Sequence, residues 1–140
     1  MATCGGPARV QHRAVALHDS KLLSWLAAEG RIHLRLDAYV HASLGEPGVD
    51  PGTAWQQEVE LIITEGQAAA TELALPLWIV EARLTIDGKP IELLPLPLEK
   101  AGSVRLRIQG SAGLLEVQGA AIRAAPLGEA RFIERYPGLA

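Results

Sequence analysis

The stretch from Arg31 to His41 constrains this chain more than any other. Ile32, Leu34, Leu36, Ala38 and Val40 alternate without a break with Arg31, His33, Arg35, Asp37, Tyr39 and His41. Successive side chains on an extended backbone leave on opposite sides. Strict alternation over this length therefore specifies a long β-strand with one face in a core and the other toward water.

The same period recurs along the chain. Val104, Leu106 and Ile108 alternate with Arg105 and Arg107. Trp55, Val59, Leu61 and Ile63 share a face on which Gln57 is the exception, with Glu58 and Glu60 on the other. Trp78, Val80, Ala82, Leu84 and Ile86 form an apolar set against Glu81, Arg83 and Thr85. Trp25, Trp78, Leu84 and Leu106 are read as core. Leu115 and Val117 open a further arm, Gly119 divides it from 120–124, and 128–137 alternates weakly as a last short strand.

Turn chemistry separates these runs. Asp87-Gly88 is a type I′ hairpin signal, because both central positions need positive φ. Residues 43–54 are dense in Gly, Pro and Asp and read as a long loop. Pro90, Pro95 and Pro97 restrict their segment to an edge or an extended crossing. Two stretches admit two readings. Residues 20–28 fit a short helix or the first arm of a hairpin turning on Glu29-Gly30, and the hairpin is favoured because the following strand needs a partner. Residues 67–75 have helical propensity but also alternate. Seven to nine short strands with no repeated strand–helix unit imply an all-β fold. The architecture expected is a two-layer antiparallel sandwich or jelly roll, since one open sheet would leave an apolar face wet.

Composition narrows the classes. The 140 residues suffice for one domain, expected over 14–140 after a flexible leader at 1–13. A hydrophobic fraction of 49% and a charged fraction of 21% exclude global disorder. No apolar run is long enough for a membrane helix, and the first residues carry no secretory pattern. Thirteen Lys and Arg against 16 Asp and Glu give a net charge of -3. Arg105/Arg107 and Arg31/Arg35 are the nearest approach to a basic cluster, so neither nucleic acid nor membrane is an expected partner. Cys4 is the single cysteine, which excludes an intrachain disulfide and fits a reducing cytoplasm.

Leu17-His18-Asp19-Ser20-Lys21-Leu22, the turn before Arg31, and the ending Gly119-Ala120-Ala121-Ile122 with Gly128-Glu129-Ala130-Arg131-Phe132-Ile133-Glu134 resemble small bacterial domains of unassigned function. In those, a His-Asp-Ser/Ala-x-Leu opening precedes a β-hairpin. The resemblance covers the two ends. It implies an all-β fold and brings no catalytic residue.

The polar face of 31–41 is the expected working surface. If the hairpin turns on Glu29-Gly30 without interruption, His18 faces His41, Ser20 faces Tyr39, Leu22 faces Asp37 and Ser24 faces Arg35. Opposed histidines could share a divalent metal, completed by Asp19, Glu46 or Asp50. The bland alternative is a solvated sheet face. Tyr39 and Trp55, flanked by Arg35, Asp37 and His41, could instead stack a sugar ring beside the 43–54 loop, against the alternative that Trp55 is a core plug. Glu58 and Glu60 would share a face but are the ordinary dress of an exposed strand. No nucleophile elbow, phosphate loop, dinucleotide fingerprint or His-Glu-x-x-His occurs.

Three readings follow. The first is a non-enzymatic β-domain acting by protein contact, self-associating as a homo-oligomer and needing no cofactor. The second is a small-ligand or carbohydrate-binding module using the 31–41 face and the 43–54 loop. A metal-dependent jelly-roll enzyme ranks last, since at most two histidines can converge.

Overall fold

The computed structural model describes residues 11–138. Cys4 and most of the expected leader lie outside them. The described residues form ten strands: β1 (His12–Ala28), β2 (Arg31–Ser43), β3 (Gly52–Thr64), β4 (Gln67–Thr71), β5 (Leu77–Ile86), β6 (Lys89–Ile91), β7 (Leu94–Pro95), β8 (Leu98–Gly110), β9 (Gly113–Pro126) and β10 (Arg131–Tyr136). The fold is all-β and antiparallel. The first strand starts at His12, inside the expected leader. Of the two ambiguous segments, 20–28 is strand within β1, and 67–75 is strand only over its first five residues, β4. Glu29 and Gly30 at one turn, and Asp87 and Gly88 at another, all have positive φ. The two hairpins thus close with the backbone twist that short antiparallel connections favour.

One sheet replaces the expected pair. β1 pairs β2, β2 pairs β3, β3 pairs β9, β9 pairs β8, β8 pairs β5, and β5 returns to β1. The ladder closes into a six-stranded barrel, with β4, β6, β7 and β10 added at its rims. Closure solves the wet-face problem without a second layer, because the apolar side of the single sheet turns inward. Leu34, Leu36, Leu61, Ile63, Leu84, Leu106, Ile108 and Leu115 are among the side chains that fill it. Each such burial contributes about 1.5–3 kcal/mol. The proline-rich crossing works as a plug. Leu94 and Leu96 are buried, and Leu96 N–H donates to the Arg13 carbonyl.

Two features of the ladder position everything below. The closing seam is narrow: β1 and β5 share only Lys21 opposite Trp78 and Leu22 opposite Leu77. The second feature is that β3 divides its outer edge. Residues 59–64 pair β9, whereas 52–56 pair β10. Beyond Glu65 and Gly66, β4 continues along β9 in the register β3 began, with Gln67 opposite Gln118 through Thr71 opposite Leu114.

Candidate functional site

The β1–β2 hairpin keeps the uninterrupted register near its turn, with Ser24 opposite Arg35. It then slips twice. One slip lies between Leu22 and Ser24, and a larger one between Ala16 and Lys21. Residues 17–20 form a bulge whose side chains sort by polarity. Leu17 and Ser20 are buried, and His18 and Asp19 project into solvent. Ser20 staples the bulge: its hydroxyl donates to the Ala16 carbonyl at 2.8 Å and accepts from Tyr39 N–H at 3.0 Å. The His-Asp-Ser stretch is this device.

The expected opposition of His18 and His41 therefore does not form. Ala14 faces His41, Ala16 faces Tyr39, and Lys21 faces Asp37. His18 Nε2 lies 3.2 Å from Asp19 Oδ2 at the exposed apex. Among the described residues, no three His, Cys, Asp or Glu side chains converge as a cation site requires.

His41 lies on the outer face of β2, yet only 9% of it is exposed. Short side chains on β3 explain how it is covered. Gly52 and Ala54 stand between β2 and β10 in the ladder. Over them, Glu134 and Tyr136 reach the β2 face. Tyr39 OH donates to Glu134 Oε1 at 2.9 Å, and the Tyr136 ring packs edge-on to His41 at 4.9 Å. Tyr39 packs on the other side at 5.1 Å.

The 44–51 loop forms the lid. Tyr136 OH donates to the Gly48 carbonyl at 2.8 Å. Gly48 has φ +79, and a β-carbon there would clash with Leu93 Cδ1 and sit 3.7 Å from His41 Cδ2. The loop is internally tied, since Asp50 Oδ2 accepts from Glu46 N–H at 2.6 Å. Among the described residues, His41 Nδ1 has no hydrogen-bond partner. Burial lowers the His41 pKa below the usual imidazole value, against the opposing pull of Asp19, with His18 adding to the lowering. Tyr39 is pushed up to about 12, first by burial and then by its bond to Glu134. This corner is a closed polar knot around a buried imidazole.

The remaining expected residues do not join it into one surface. Trp55 is opposite Val40 and shares the inward face, whereas Tyr39 is opposite Gln56 on the outward one. The two aromatics cannot form one stacking platform. Trp55 packs against the core and meets Phe132 edge-on at 5.4 Å, with Nε1–H donating to Thr53 Oγ1. Asp37 accepts from Gln56 Nε2 at 2.7 Å. Arg35 is exposed opposite Glu60. Gln57, the polar residue on the apolar face, is bonded by Arg13 and donates to the Gly128 carbonyl.

Trp78 is not core: 64% of it is exposed, and Val80 is 69% exposed. A register slip between Ile79 and Glu81 is the cause. Upstream of it Leu77 and Ile79 point in; downstream Leu84 and Ile86 do. Lys21 Nζ lies 4.5 Å from the Trp78 ring centroid. The paired Leu77 and Ile79 carried the signal for this reversal. Comparison with known proteins finds no family model, no curated protein and no solved structure that matches the chain.

Proposed function

We propose that this protein works by contact rather than catalysis, pairing with a second copy of itself along the free edge of β4, in a cytoplasmic setting. The observation that carries this reading is the unequal protection of the two terminal strands. β10 has the devices that keep an edge from pairing: a slip between Phe132 and Glu134, the charges of Arg131, Glu134 and Arg135, and Pro137 directly after it. β4 reads Gln-Ala-Ala-Ala-Thr and has no charge, proline or slip.

Antiparallel pairing about Ala69 would set Gln67 against Thr71 of the second copy and oppose no like charges. A bare five-residue edge is too small for a stable interface. Apolar surface flanks it. Gly66 N–H donates to the Gly30 carbonyl, which brings the β1–β2 turn, near the exposed Leu26, to the start of β4. At its other end Ala74 N–H donates to Ala112 O in the β8–β9 turn, and Ile79 lies opposite Gly110 of that turn. Exposed Leu75, Trp78 and Val80 lie in this part of the chain. Tryptophan is the residue type that most often anchors such contacts.

Light scattering at high micromolar concentration tests the reading. Wild type should have a dimeric mass. Ala69→Lys and Ala69→Glu each put a like charge on the two-fold and should be monomeric, and an equimolar mixture should recover the dimer. A monomeric wild type, or a dimeric Ala69→Lys, overturns it.

A further inference from the structure

We infer that the outer face of β5, β8 and β9 binds a small, multiply charged anion of the phosphate-ester class. Three arginines converge there. Arg83 on β5 stands directly opposite Arg107 on β8, and Arg105 lies two residues along β8 on the same face. Side chains directly opposed across a ladder have β-carbons about 4.5–5.5 Å apart. With β4 as the far wall, the face forms an open groove of about 580 Å³, within the range that holds small ligands.

The arginines are not neutralised from within. Glu116 lines the groove and faces Arg107 in the ladder. Yet among the described residues no arginine has a carboxylate within ion-pair distance; the only such pairs involve His18 and His33. Like charges directly opposed destabilise a sheet. The adjoining row shows the neutral solution, Thr85 opposite Arg105 opposite Gln118. An opposed arginine pair whose neighbouring carboxylates, Glu116 and Glu81, form no ion pair with it is a local cost that an external anion offsets.

The arrangement selects among anions. One guanidinium fork satisfies a carboxylate, whereas the oxygens of a phosphate or diphosphate can accept from several forks at once. Gln67 and Gln118, whose side chains are 3.4 Å apart, add neutral groups suited to the hydroxyls of an ester. No aromatic side chain lines the groove, so a nucleobase would find no stacking platform there. The chain's net charge of -3 also disfavours an extended polyanion. The inference goes beyond pairing through β4, and the substitutions that test it leave that strand unchanged.

Titration calorimetry with inorganic pyrophosphate at low salt is the direct test, using the full chain. Wild type should bind saturably at one site per chain. Arg107→Gln should weaken binding about tenfold or more, the expected loss for one charge-assisted contact. Glu116→Gln should tighten it. Arg83→Thr separates a binding role from a structural one. It should raise the ligand-free melting temperature by relieving repulsion, while abolishing the further rise that pyrophosphate gives wild type. Absence of saturable heat overturns the inference. So does unchanged binding in Arg107→Gln, a lowered ligand-free melting temperature in Arg83→Thr, or displacement of pyrophosphate by a single-stranded oligonucleotide or anionic vesicles at lower concentration.

Discussion

Two patches of the same outer surface have opposite fates. The upper end of β2 holds His41, Tyr39 and their neighbours, the residue types from which chemistry is usually built. Gly52 and Ala54 leave space beside it, so β10 and the 44–51 loop close over it. The face of β5, β8 and β9 holds arginines beside Thr85, Glu116 and Gln118 in plain alternation, and the groove above it stays open. Polar residues on a strand become a surface or an interior according to what is short enough on the next strand to let a third one reach across. Residue type alone does not decide between them.

The contrast can be broken by forcing the closed patch open. Gly48→Val should have the largest effect, about 2–4 kcal/mol of stability. It places a branched side chain at φ +79 against Leu93 and His41. A denaturant midpoint that does not move would mean the loop is no lid. Next comes Ser20→Ala, which leaves Tyr39 N–H and the Ala16 carbonyl without their shared partner. It should cost about 1–3 kcal/mol by urea titration. On the open face Gln118→Ala should stay within about 0.5 kcal/mol, and equal losses at the two positions would erase the distinction.

The smallest effect sharpens the comparison through pH. His41 has a folded pKa below its unfolded one, so the unfolded chain takes up the proton first as pH falls. The stability this residue protects is complete above the ordinary imidazole range and declines as pH drops below about 6.5. Groups that act on the ring include His18, Asp19 and Glu134. His41→Phe should flatten the wild-type fall in urea midpoint between neutral and mildly acidic buffer. An unchanged slope would place the titrating group elsewhere.

Much of the fold was legible. Alternation located the long strands, and the Asp87-Gly88 and Glu29-Gly30 dipeptides located two turns. Of the slips, the one in β5 had a trace in the sequence, the apolar Leu77 and Ile79 beside Trp78 and Val80, and those in β1 were not legible. Leu23 in β1 and Val80 in β5 are apolar like their neighbours, so inserting them leaves the local pattern intact while reversing which side faces the core, and the 17–20 bulge reads as one more stretch of mixed strand. The two β1 slips together offset the register enough to separate His18 from His41, and the β5 reversal put Trp78 outside. Barrel closure has no local signature either. It depends on β3 dividing its edge between β9 and β10, a contest between segments far apart in the chain. The covering of His41 is equally remote, since the Tyr39–Glu134 bond spans 95 residues. Arg105 and Arg107 were visible as a pair, but Arg83 joins them only through pairing across strands.

The join between β1 and β5 has its own consequence. Two rungs hold that meridian, against thirteen between β2 and β3. Thermal breathing of the cylinder must concentrate where the fewest bonds have to part. The two rungs of Lys21, Leu22, Leu77 and Trp78 are therefore where deuterium should enter the barrel strands first, and the Lys21 ammonium resting on the Trp78 indole is the outer latch of that hatch.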